Sequence, residues 1–81
     1  CFQLPAFEIS PVNIKSVYDL SNGKHRRFTL QSGLQCLCFN ISPADKAKSV
    51  NSIRGFVGSP QINYYRGSKR VSFIIDQILY K

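Results

Sequence analysis

The residues in this chain that could do chemistry are few, and most are cations. Lys24-His25-Arg26-Arg27 forms one basic cluster, and Arg66, Lys69 and Arg70 form another. Each borders a turn signal, Ser21-Asn22-Gly23 in the first case and Gly67 in the second, so both are expected on hairpins whose charged ends can meet phosphates or an acidic surface. Tyr64 and Tyr65 alternate across a strand, so one of them faces outward. Tyr65 beside Arg66 offers a flat phenol ring that can stack on bases or sugars. His25 is the only imidazole. With Asp19 across the hairpin and Arg26 or Arg27 it makes a trio that could in principle cleave RNA, yet no Glu or second His accompanies it. Nucleophilic catalysis by Cys36 or Cys38 would need a paired His. No enzyme and no cofactor are expected.

The three cysteines are Cys1, Cys36 and Cys38. Cys36 and Cys38 fall on one face of a strand, roughly 6.5 to 7 Å apart by strand rise, too far for a relaxed mutual bridge. A disulfide from Cys1 to Cys36 or Cys38 would close a loop of about 36 to 38 residues and constrain the unfolded chain by roughly 3 to 4 kcal/mol. The other reading is three reduced, buried thiols. An odd count also permits a disulfide-linked or heteromeric partner chain. No metal is expected, because Cys-x-Cys is a poor zinc spacing and His25 sits among cations.

These groups belong to a chain of 81 residues, enough for one small domain spanning 1–81. A chain this short leaves little margin between burial and conformational entropy, so a staple, a partner or very regular packing is anticipated. Eleven Lys and Arg against four Asp and Glu give a formal net charge of +7, which favours anionic partners. No run of 18 apolar residues is present to span a membrane. The start at Cys1 suggests a processed, secreted product.

Turn residues recur at Pro5, Pro11, Ser21-Asn22-Gly23, Ser32-Gly33, Ser42-Pro43, Gly58-Ser59-Pro60 and Gly67-Ser68, the rhythm of short strands. Between them, 14–19, 28–31, 35–41, 50–56, 62–65 and 71–75 are rich in β-branched and aromatic residues. The segment 2–9, interrupted by Pro5, adds an edge strand. Ser42 with Pro43 and Asp45 marks one short helical turn within 43–49. The tail 70–79 accommodates a helix or a strand, and strand is preferred. Phe2, Phe7, Phe28, Phe39, Phe56 and Phe73 are assigned to the core. The expected class is all-β, a small Greek-key β-sandwich of seven or eight short strands.

Two stretches are internally similar. Asn13 to Asp19, Gly23 and Arg26-Arg27-Phe28 parallel Gln61 to Gly67 and Arg70 to Phe73, and Val50-Asn51-Ser52-Ile53-Arg54 between them has the form of a closing strand. In this the chain resembles the βγ-crystallin family. The resemblance implies paired Greek keys, with segment 2–9 completing the second, and with both basic hairpins at one end or on related faces. It also implies the class of small exported toxins, antimicrobial proteins or inhibitors. The family's calcium-binding pattern would fall on Ala47 to Ser52, where Ala47 and Lys48 replace oxygen donors.

The expectation that follows is a secreted basic binding protein, of toxin, antimicrobial or effector type. It would dock through Lys24, His25, Arg26, Arg27, Arg66, Lys69, Arg70 and Tyr65 on an anionic cell-surface component or an acidic protein. The alternative is a small nucleic-acid-binding β-barrel that uses tyrosine and arginine on one face.

Overall fold

The structure, a computed structural model, describes residues 2, 3 and 5–81, with side chains from Pro5 onward. Its strands are β1 (Phe2–Gln3), β2 (Phe7–Ile9), β3 (Ile14–Leu20), β4 (His25–Leu30), β5 (Gln35–Cys38), β6 (Ile53–Tyr65) and β7 (Ser68–Tyr80). The all-β class and the number of strands agree with the sequence reading. So does the helical turn, α1 (Pro43–Ala47), where the Ser42 hydroxyl accepts the Asp45 amide at the N-terminus. The tail is strand, as preferred.

All seven strands belong to one sheet, ordered β1-β6-β7-β5-β4-β3, with β2 also on β6. β2 and β3 therefore lie on opposite edges although only four residues separate them. Four residues reach about 14 Å, so the sheet must curl until its edges nearly meet. The backbone records the closure directly. The Val12 amide donates to the Arg54 carbonyl at the start of β6, and the next residue, Asn13, accepts from the Gln31 amide beyond β4. β2, the corner at 10–13 and β3 thus act as one bent strand closing a five-stranded barrel. β-Bulges between Ile14 and Ser16 and between Val57 and Gly58 supply the local twist that such curvature needs.

Gly55 and Gly58 make the tight approaches possible. A Cβ on Gly55 would lie 2.5 Å from the Ile9 carbonyl oxygen, and one on Gly58 would collide with the carbonyl of Ile74. Pro60 sits inside β6, where a turn was expected. It falls between Gly58, which pairs with Phe7 of β2, and Gln61, which pairs with Gln3 of β1, so its missing N–H faces the break in the edge strand. The segments read as two strands, 50–56 and 62–65, consequently merge into one long strand from Ile53 onward, while Val50–Ser52, expected as strand, form a 3-10 turn.

The core follows strand alternation. Phe28 and Leu30 of β4, Cys36 and Cys38 of β5, Phe56 of β6, and Phe73 and Ile75 of β7 point inward, with Phe28 and Phe56 rings 5.1 Å apart. Phe39 and Phe7, assigned to the core from sequence, are about half exposed. Phe39 lies one residue past β5, and Phe7, on the short edge strand β2, packs edge-on against Phe73 at 5.6 Å. Phe2 falls outside the residues whose side chains are described.

Candidate functional site

The outward positions of β3, β4, β5 and β7 form a continuous face whose composition is set by pairing register. Tyr18 pairs with Arg27, Arg27 with Leu37 and Leu37 with Ile74, making one row across four strands. The next row is Ser16, Thr29, Gln35, Ser72 and Gln61, all neutral hydrogen-bonding residues. Arg70 opposite Asn63, and then Tyr65 opposite Ser68, continue the same face along the β6–β7 hairpin. At the other end His25 stands beside Phe39, ring centroids 5.3 Å apart. The His25 Nδ1 accepts the Asn40 amide at 2.9 Å, which leaves the ring proton on Nε2.

The two basic hairpins flank this face at opposite ends. β5 runs antiparallel to β4 and parallel to β7, so the β3–β4 turn lies beyond the end of β5 and the β6–β7 turn beyond its start. Strand rise separates the two turns by roughly 30 Å. The expectation that both hairpins gather at one end or on related faces is corrected on this point: they bracket a common face from its two ends. The first turn carries Ser21, Asn22 and Gly23 at positive φ and is tied to α1 by the Lys46 ammonium donating to the Gly23 carbonyl at 2.9 Å. The second is a two-residue turn with Arg66 at φ 50° and Gly67 at φ 77°. The Arg66 guanidinium lies 5.3 Å from the Tyr65 ring centre, and Tyr64 and Tyr65 are both exposed because the hairpin projects beyond the barrel.

The residues expected to act together are divided by this geometry. Lys24, His25, Arg27, Tyr65, Arg66 and Arg70 lie on the face or at its two ends. Arg26 alternates to the other side, where its Nε donates to Asp19 at 2.7 Å and its side chain is only 12% exposed. Lys69 pairs with Tyr64 on the reverse of the hairpin. The trio of His25, Asp19 and Arg26 or Arg27 is not assembled: Asp19 is held by Arg26, which keeps its carboxyl below the usual range, and His25 is held by Asn40. Cys36 and Cys38 are free buried thiols, and burial pushes the Cys36 thiol up to about 12. Cys1, the partner expected for one of them, lies outside the described residues. Among the described residues no cluster of His, Cys, Asp or Glu is disposed to hold a metal. Nor, among the described residues, is any helix long and apolar enough to cross a membrane.

Sequence reading alone missed Tyr18, Thr29, Gln35, Leu37 and Phe39. The signal for Tyr18 was present, since it alternates with Val17 and the short turn fixes its pairing with Arg27. No such local signal ties β5 to β7.

Charge in the named rows has one sign, while Asp76, two residues past Ile74 on β7, is an exposed acid beyond them. Asp19 is turned away with Arg26, Glu8 meets Arg54 at 3.2 Å, and Asp45 accepts from the Tyr80 hydroxyl at 2.7 Å and from Ser42. None of the rows named above contains a carboxylate. A groove of about 460 Å³ lined by Asn13, Gln31, Asn51 and Lys81, among others, includes none of the face's side chains.

A barrel with this strand order, a short helix between its third and fourth strands and cations in two particular turns can be compared with known families. The family model described as the RecJ OB domain matches residues 1–77. No curated protein and no solved structure matches the chain. The family match overturns the βγ-crystallin resemblance: the two similar stretches are the β3–β4 and β6–β7 hairpins of a single barrel, alike because both are antiparallel pairs with a glycine turn. The toxin, antimicrobial and effector readings, with the secreted setting attached to them, fall with that resemblance. Over nearly its whole length this chain belongs to the RecJ OB domain family.

Proposed function

We propose that this domain binds single-stranded nucleic acid across the face of β3, β4, β5 and β7. The observation that carries the reading is the juxtaposition of a face bearing Tyr18, Arg27, Leu37 and Phe39, whose paired rows from Tyr18 to Gln61 hold no carboxylate, with basic turns at both of its ends. OB-folds characteristically use the second and third barrel strands together with the turns between strands one and two and between four and five. Here those parts are β4, β5 and the two basic turns. Cations at the ends draw in a phosphate backbone, while exposed rings between them stack on bases. Stacking of this kind requires bases released from a duplex. Helix α1 has five residues, too short to read a major groove.

The test is fluorescence anisotropy with a labelled oligothymidylate and a duplex of equal length across a salt series. Support is tighter binding of the single strand, with log affinity falling linearly as log salt rises. Absence of single-strand binding at 50 mM salt, or stronger binding of the duplex, would overturn the reading.

A further inference from the structure

The five arginines differ in what already occupies them. Arg26 is neutralised by Asp19 and Arg54 by Glu8. Arg66 occupies the tip of a turn and Arg70 is exposed on the projecting hairpin, positions suited to a hydrated phosphate. Arg27 stands apart from these. It is half-buried in the middle of the face, in register between Tyr18 and Leu37, with its guanidinium carbon 5.1 Å from the Tyr18 ring centre. Among the described residues it has no ion pair, and its Nε is buried without a hydrogen-bond partner. A buried donor left unpaired is unfavourable, so a ligand that supplies an acceptor as the side chain shifts gains more here than at an exposed cation.

Resting on the single-strand reading of this face, we infer that Arg27 is a specificity residue that reads a guanine base. Phosphates remain with the wet, charged ends of the face, whereas the apolar row of Tyr18, Leu37 and Ile74 is where bases lie. A guanidinium presents parallel N–H donors in one plane, and guanine offers O6 and N7 as adjacent acceptors on one edge. Adenine alternates a donor with an acceptor on the corresponding edge. Cytosine also has two adjacent acceptors in a single strand, but its smaller ring covers less of Tyr18. A purine paired to Arg27 keeps a large surface for stacking on the phenol.

The experiment uses the full chain and labelled oligothymidylates that carry at one central position dG, 7-deaza-dG, dA, dC or dT. The expected result is about tenfold tighter binding of the dG oligonucleotide than of the all-thymidine one. Replacing N7 by carbon in 7-deaza-dG should remove most of that gain with the protein unchanged. Arg27→Lys, which keeps the charge, should bring the dG and the all-thymidine oligonucleotides to the same affinity as each other, the ratio between them being the readout. Equal affinity for dG and dT, a larger gain with dC, or a guanine preference that survives both 7-deaza-dG and Arg27→Lys would overturn the inference and leave single-strand binding intact. Failure of every oligonucleotide to bind would overturn both.

Discussion

At the scale of single residues, stability and recognition separate most clearly at Arg66. It adopts φ 50° at the first central position of a two-residue turn, where asparagine or glycine is the usual occupant. The left-handed conformation costs a residue such as arginine about 1 kcal/mol. Arg66→Asn should therefore raise the melting temperature by roughly 4 to 8 °C. The same substitution should weaken oligonucleotide binding and reduce its log-salt slope by about 0.7. A paired melting and anisotropy measurement checks both signs. Tyr18→Ala should behave in the opposite sense, losing about 1 to 3 kcal/mol of binding as a missing stack while the salt slope stays unchanged. Asp19 and Cys36 make the folded state sensitive to pH at opposite ends of the scale. The Arg26 hydrogen bond lowers the Asp19 value, so its contribution is full above the ordinary carboxylate pKa and is lost as pH falls through the lowered one. Asp19→Asn should flatten the acid limb of a stability-versus-pH curve below about pH 4. Burial raises Cys36 to about 12, so its contribution is full below the unfolded thiol value near 8.5 and fades as pH climbs towards 12. Both core thiols should resist alkylation at pH 8 in the native protein and react promptly once it is unfolded.

At the scale of elements, barrel closure depends on two glycines where backbones meet. A Cβ at position 58 would collide with the Ile74 carbonyl, which belongs to the neighbouring strand and cannot move without breaking the ladder. Gly58→Ala should destabilise the fold by about 2 kcal/mol or more, read by chemical denaturation, while Gly33→Ala, with open space around it, should cost less. These elements also show how far sequence reading reaches. The Ile14 strand, the Ser42-Pro43 helical turn and the strand character of the tail were legible, because local alternation, caps and turn residues decide them. The Gly58-Ser59-Pro60 stretch misled, since the same residues that mark a turn also serve a bulge and a gap beside a broken edge strand. The basic clusters were visible as hairpins, yet their division was not. Whether Arg26 or Arg27 faces the site depends on register, and the two turns flank one face only because β5 pairs in parallel with β7, a contact between segments more than 30 residues apart. The internal similarity of the two hairpins was real at the level of supersecondary structure and misleading as a guide to ancestry.

At the scale of the whole molecule, 81 residues fold with Cys36 and Cys38 as free thiols, and a single curled sheet whose edges meet through 10–13 encloses the core. The net charge of +7 is distributed so that Glu8, Asp19 and Asp45 are paired elsewhere, and Asp76, past Ile74 on β7, lies beyond the cationic rows of the face. On the proposed function this face, and no other surface, receives a single strand. Amide chemical shifts recorded by NMR during titration with oligothymidylate test it most directly. The expected result is a contiguous set of perturbations over Tyr18, Arg27, Thr29, Gln35, Leu37, Phe39 and Arg70, extending into both flanking turns, with the groove at Asn13, Asn51 and Lys81 unaffected. Perturbations centred on that groove or on the reverse of the β6–β7 hairpin, or no perturbation at all, would contradict the account.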